Sequence, residues 1–146
     1  MDYVCRKLNA SDLNMVMEMN RHFRDSFVCR ENVEHFLSNP MNWLYAAVCG
    51  QTIIGFAYGY EVNRLDGKGN MLYIHEVGVM EPYQRTGVGS RLLTELKNTC
   101  AEKSICRFFL VTAQDNVGAN ALYRKLGGET DNNSGGNDIC YFFLTK

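Results

Sequence analysis

A mixed α/β (α+β) fold is expected from this sequence, with a largely antiparallel sheet of six to seven strands flanked by about four helices. Runs of β-branched and aromatic residues recur along the chain, and between them lie segments with apolar residues at helical spacing. One strand, helix, strand succession over residues 71–112 has the length that a parallel crossover needs.

Residues 3–8 are short and partly alternating, a strand. Ser11 or Asp12 then offers an N-cap to a helix with Leu13, Val16, Met17 and Phe23 on one face. A second helix over 30–37 buries Val33, Phe36 and Leu37 and stops near Asn39-Pro40, because proline lacks the amide proton that a helix needs. Residues 43–49 and Thr52–Val62 form a hairpin around Gly50-Gln51, and the polar stretch 63–70 is a loop. Met71–Val79 is a strand, 87–100 a helix with Val88, Leu92, Leu93 and Leu96 inward, and 106–112 a buried strand. Asp115-Asn116 caps a last helix with Ala119, Leu122, Tyr123 and Leu126 inward, closed by Gly127. A Gly/Asn-rich turn over 131–137 leads to the final strand, Asp138–Leu144.

The 146 residues, 46% hydrophobic and 21% charged, fit one domain over residues 1–146, able to bury a core without disulfides or metal. A net charge of -1 argues against a nucleic-acid or anionic-membrane surface and points to a small-molecule or peptide partner. The six cysteines are scattered, with no CxxC pair and no signal-peptide pattern, so they read as reduced thiols of a cytoplasmic protein. No apolar run approaches the roughly 18 residues of a membrane span. Exposed sheet edges leave a homodimer open.

Gln84-Arg85-Thr86-Gly87-Val88-Gly89 lies where a strand turns into a helix. There the first helical amides lack partners, the dipole is positive, and missing Cβ atoms let an anion approach. Arg85 can add a charge-assisted bond, and Gln84 can bind or brace the turn. By itself the pattern fits an anion seat or an ordinary glycine turn. It lacks the Gly-Lys-Ser/Thr of a Walker loop and the GxGxxG of a dinucleotide fingerprint.

This hexapeptide resembles the Q/R-x-x-G-x-G/A acyl-CoA signature of the GNAT superfamily of N-acetyltransferases. The segment Asn116-Val117-Gly118-Ala119-Asn120-Ala121-Leu122-Tyr123-Arg124-Lys125-Leu126-Gly127 resembles that family's second cofactor motif. The resemblance runs from the first strand to the last. It implies acetyl-CoA as acetyl donor, held by Val77, Val79, Gln84, Arg85, Thr86, Gly87, Val88, Gly89, Asn116 and Tyr123. It also implies that two parallel strands, Met71–Val79 and residues 106–112, splay to admit the pantetheine arm. Gly78 agrees, since glycine in a strong strand often marks a bulge or a close approach. No metal is expected.

Acetyl transfer to an amine needs a neutral nucleophile, an oxyanion donor and a proton for the departing thiolate. Glu76 shares a strand face with Leu72 and Ile74 by strict alternation, an apolar setting that would raise its pKa toward that of a general base. The plainer reading is a paired carboxylate. His75 is the rival base, although alternation sends it to the other face. Tyr123 lies on an apolar helix face and reads as a core aromatic; the family pattern makes it the general acid to the CoA sulfur. The resemblance further implies that the backbone amide near Val77 polarises the thioester carbonyl.

The stretches Tyr60-Glu61-Val62-Asn63-Arg64-Leu65-Asp66 and Tyr73-Ile74-His75-Glu76-Val77-Gly78-Val79 are similar to class I aminoglycoside 3-N-acetyltransferases. Glu76 stands at that class's catalytic aspartate and reaches one carbon farther. This implies transfer to the 3-amino group of an aminoglycoside antibiotic, a resistance function, by direct attack in a ternary complex. Glu61, Asp66 and Glu76, with Asp131 and Asp138, are the carboxylates available to a polycation. Another amine (polyamine, peptide or protein) is the runner-up acceptor, and a non-catalytic acyl-CoA sensor comes third.

Overall fold

The computed structural model describes residues 2–24, 28–130 and 136–145. A seven-stranded sheet runs in the order β1-β2-β3-β4-β5-β7-β6. Its strands are β1 (Val4–Lys7), β2 (Asn42–Cys49), β3 (Thr52–Val62), β4 (Met71–Val79), β5 (Arg107–Ala113), β6 (Glu129–Thr130) and β7 (Asp138–Leu144). All neighbours pair antiparallel except β4 and β5, which are parallel. The helices are α1 (Leu13–Phe23), α2 (Arg30–Ser38), α3 (Val88–Glu102) and α4 (Val117–Lys125).

Period-2 alternation gives β2 a buried residue on both faces at almost every position. Trp43, Tyr45 and Ala47 enter the core beneath α3 and α4, whereas Leu44, Ala46 and Val48 enter a second core beneath α1 and α2. Val88, Leu92, Leu93, Leu96 and Cys100 form the apolar stripe of α3 against the first core. Val16 and Met19 of α1 with Val33 and Leu37 of α2 cover the second.

The cap of the first helical segment differs from expectation. Asn9, not Ser11 or Asp12, accepts the Ser11 amide at 2.9 Å, and the Asp12 carboxylate accepts the Asn9 amide at 2.9 Å. This reciprocal box begins with a 3-10 turn, Ala10–Asp12, so the cap falls a turn earlier than the apolar periodicity suggests. The two-residue β6 was not expected; it is too short to carry alternation and exists through its pairing with β7.

Two features of β4 position the site. Its pairing with β5 ends at Ile74↔Leu110, although β4 continues to Val79 and β5 to Ala113. Among the described residues no strand occupies the β5-facing edge of β4 beyond Ile74, so the strands splay as expected. On the β3 side, Gly59 pairs with Ile74 and Tyr58 with Glu76, leaving His75 as the extra residue of a β-bulge.

Candidate active site

After β4 the chain passes through a 3-10 turn, Glu81–Tyr83, whose proline presets the backbone. The Gln84 side-chain amide donates to Val79 O at 3.0 Å, and the Thr86 hydroxyl donates to Tyr83 O. Arg85 and Gly87 both adopt left-handed φ, 63° and 89°. A Cβ at Gly87 would meet nothing within 4 Å, so glycine is required there by φ rather than by space. Gly87 is the N-cap of α3, and among the described residues no side chain caps the helix and no carboxylate occupies its first turn. The opening amides therefore present an uncompensated positive end.

Those amides face a groove of about 610 Å³ that continues into the split between β4 and β5. Val77, Gly78 and Val79 line one wall, and Asn116, Ala119, Leu122 and Tyr123 of the α4 segment line another. Of the loop residues expected to hold the donor, Gln84, Arg85, Gly87 and Gly89 line it. Thr86 and Val88 do not: the first turns its hydroxyl back onto Tyr83, and the second is 1% exposed in the core. Ser90, Gly118 and Lys125 also line the groove and were missed. Lys125 belongs to the second quoted motif, and Ser90 is placed by helical phase after Gly87.

Asn116 spends its side-chain oxygen on the Ala119 amide at 3.1 Å, so it acts as the cap of α4 at the groove wall. Asn120 secures the same end: its amide donates to Asn116 O at 2.7 Å and Ala113 O at 3.0 Å, and its oxygen accepts from the Tyr141 hydroxyl at 2.6 Å. Tyr123 is 6% exposed, stacks obliquely on Tyr141, and still lines the groove. Burial, then the neighbouring Tyr141, pushes its phenol above the usual tyrosine range. At neutral pH it therefore carries its proton and can act as a donor.

Glu76 does not share a face with Leu72 and Ile74. The extra residue at His75 reverses the alternation, so Val77 and Val79 rejoin Leu72 and Ile74 on the α3 side. Glu76 turns to the α1 side, where Arg24 at the end of α1 donates to both carboxylate oxygens at 3.0 and 2.6 Å. Its setting is thus a two-bond ion pair rather than an apolar face, and Glu76 raises the pKa of Arg24, which stays charged. The bulge is not at Gly78, but the close approach expected there is present: a Cβ would lie 2.7 Å from the Phe56 ring and 3.3 Å from that of Phe23. His75 is exposed and bonds the Tyr73 hydroxyl at 3.0 Å through Nδ1.

The other acidic candidates do not gather around Glu76. Glu61 accepts from Trp43 Nε1 at 3.0 Å and Asn70 Nδ2 at 2.7 Å, and Trp43 belongs to the α3-side core, so Glu61 points to the opposite sheet face. Asp66 is taken up by Arg64 and the Lys68 amide. Asp138 pairs with Ala113 at the start of β7, and Asp131 lies outside the described residues. The Glu76 side of the sheet instead holds an apolar cavity of about 220 Å³ between α1, α2 and the sheet, with Arg24 and Tyr58 in its lining.

The model of the acetyltransferase (GNAT) family matches residues 13–128. The chain is 35% identical over 92 residues to N-alpha-acetyltransferase RimI of Mycobacterium tuberculosis (strain ATCC 25618 / H37Rv), a match covering 62% of this chain and 54%, about half, of that relative. It is similar in fold to an aminoglycoside acetyltransferase, meta-AAC0020, from an uncultured soil metagenomic sample solved with sisomicin (TM-score 0.83, 18% identity, 92% of this chain and 93% of that one). Arabidopsis thaliana NAA60 solved with acetyl-CoA is likewise similar (TM-score 0.75, 21% identity, 98% of each chain).

Proposed function

Because the chain belongs to the acetyltransferase (GNAT) family, we propose that it is an N-acetyltransferase that moves the acetyl group of acetyl-CoA onto a primary amine. The observation that carries this reading is the uncapped start of α3 opening into the β4/β5 split, which offers phosphate-binding amides at one end and unpaired strand backbone at the other.

The groove suits the donor on its own chemistry. Amides of the first turn of α3 and the Arg85 guanidinium meet anionic oxygen, and the free edge of β4 at Val77 and Val79 meets amide groups. Acetyl-CoA, when bound, supplies an acetyl group activated as a thioester. Glu76 accepts a proton from the incoming ammonium, directly or through a water. The backbone amide near Val77 polarises the acetyl carbonyl, and the protonated Tyr123 donates to the sulfur. Fixing both reactants removes much of the entropic barrier, so no covalent enzyme intermediate is needed.

For the acceptor, the 3-amino group of an aminoglycoside has the support of the sequence resemblance and of the sisomicin-bound fold neighbour. An α-amine has the support of RimI, named an N-alpha-acetyltransferase. The charges at Glu76 favour the second: Arg24 already neutralises that carboxylate, and Glu61 and Asp66 are bonded elsewhere, so among the described residues a polycation finds no acidic ring. The scattered cysteines, with no CxxC pair among them, accord with action in the cytoplasm.

Thiol release from acetyl-CoA, followed over a panel of aminoglycosides, polyamines and peptides, tests the reading. Glu76→Gln should lower turnover by about 10²-fold or more while leaving acetyl-CoA affinity within a few-fold. Binding of acetyl-CoA without thiol release for any amine would leave a sensor instead.

A further inference from the structure

We propose that the acceptor is a free α-amino acid with an apolar side chain, bound as a zwitterion between Arg24 and Glu76; this rests on the acetyltransferase reading above. The guanidinium of Arg24 binds both oxygens of Glu76, with side-chain exposures of 31% and 33%, so the pair is reachable from solvent. The backbone of Arg24 is itself fixed, its amide donating to Asn20 O at 2.9 Å where α1 ends. Arg24 is also part of the lining of the 220 Å³ cavity whose walls include Val16, Met19, Val33 and Leu44. One side chain therefore touches both the candidate base and an apolar recess.

An acceptor must reach Glu76 through this ion pair. A polycation that takes the carboxylate leaves the guanidinium without its partner and beside further positive charge. A neutral amine would likewise break the pair and return only half of it. An α-amino acid brings one charge of each sign on adjacent carbons, so its ammonium can replace Arg24 on Glu76 while its carboxylate replaces Glu76 on Arg24. The planar guanidinium fork matches a carboxylate with two parallel bonds. Charge is balanced before and after the exchange. The side chain then has the cavity available; Asn20, Asn32 and Tyr58 contribute to its lining, but Val16, Met19, Val28, Val33, Phe36 and Leu44 make most of it apolar, which favours an apolar side chain over one that must give up water.

The chemistry closes. The ammonium passes one proton to Glu76 and on to solvent, the nitrogen pair forms the bond to the acetyl carbon, and the carbon–sulfur bond breaks. Tyr123 supplies a proton to sulfur, and the second proton lost by nitrogen restores it through solvent. The products are an N-acetylamino acid, a free thiol and one released proton.

The test follows thiol release from acetyl-CoA with leucine, methionine and phenylalanine, against leucinamide, a leucyl dipeptide, glutamate, spermidine and sisomicin. Leucine should exceed leucinamide by roughly tenfold to a hundredfold in kcat/KM, the usual worth of a charged hydrogen-bonded contact. Arg24→Gln should collapse that ratio toward one, chiefly through KM for leucine, with circular dichroism and acetyl-CoA calorimetry reporting an intact protein. As a readout that needs no turnover, leucine with CoA should raise the melting temperature of the wild type but not of Arg24→Gln. Equal use of leucine and its amide, preference for the dipeptide, or release with spermidine or sisomicin but no amino acid overturns the zwitterion and leaves the acetyltransferase standing. Bound acetyl-CoA with no release for any amino acid overturns it too. Absence of acetyl-CoA binding would remove the underlying reading.

Discussion

Gly59→Ala is the most informative single substitution for the architecture of the site. A Cβ at this position would lie 1.7 Å from Tyr73 O, 2.7 Å from Tyr73 C and 2.9 Å from Ile74 Cα, all backbone atoms of β4. A carbon–oxygen contact needs about 3.3 Å, so β4 must retreat by about 1.6 Å. Ladder bonds of about 2.9 Å lengthened by that amount are broken, and about two or three lie within reach of the displacement. At about 1 kcal/mol net each, with a penalty for buried groups left unpaired, the loss comes to about 3–5 kcal/mol. That is a large share of the roughly 5–15 kcal/mol of a typical domain and corresponds to a melting temperature lower by about 10–16 °C. Because the same bulge turns Glu76 toward Arg24, activity per folded molecule should fall as well. Gly50→Ala is the control: it has left-handed φ (63°) but nothing within 4 Å of the added carbon, and should cost only about 1–2 kcal/mol. Urea unfolding of both variants, with thiol release normalised to folded protein, makes the measurement. A Gly59→Ala protein with the wild-type midpoint, or one hurt less than Gly50→Ala, would refute the bulge as drawn.

Three further outcomes are expected. Gly89→Ala adds a carbon 3.4 Å from Leu122 and 3.7 Å from Val79, ordinary contacts, so thermal melting should hold or rise by the helical preference for alanine, about 0.5–1 kcal/mol. The methyl enters the groove, and calorimetry should show acetyl-CoA affinity about tenfold weaker. Tyr123→Phe should slow turnover by about 10²-fold, and its pH–rate profile should lose the alkaline limb that the wild type shows once pH passes the raised phenol pKa, above its ordinary 10.0. Burial pushes the Cys100 thiol from 9.0 up to about 12; folding favours the neutral form, so its stability contribution is complete below pH 9 and lost as pH climbs toward 12. Urea midpoints should be insensitive to this group up to about pH 9, and iodoacetamide at pH 8 should leave Cys100 unmodified in the native protein.

The strands and helices were readable because their signals are local. The bounds of Met71–Val79 and Asp138–Leu144 coincide with expectation, and the stripe of α3 follows its 3.6-residue period. The face of Glu76 was not readable, since it depends on an extra residue opposite Gly59, and a strand's own alternation contains no record of its partner's register. Arg24 escaped notice for a related reason: 52 residues separate it from the carboxylate it binds, and a lone arginine after a helix reads as solvated. Glu61 and Asp66 resembled acceptor ligands by residue type alone; their bonds to Trp43, Asn70 and Arg64 are tertiary facts.

The sheet is joined across β4 and β5 by only the register from Met71↔Arg107 to Ile74↔Leu110. Mechanically it is two panels, β1-β2-β3-β4 and β5-β7-β6, sharing a short seam and opening beyond it like a book held near the spine. A chain lying in that opening and bonding both margins would act as a stitch that lengthens the seam. Stiffness of the whole sheet then becomes a readout of donor occupancy, and amide exchange should slow on the facing margins of both panels together, far from either edge strand.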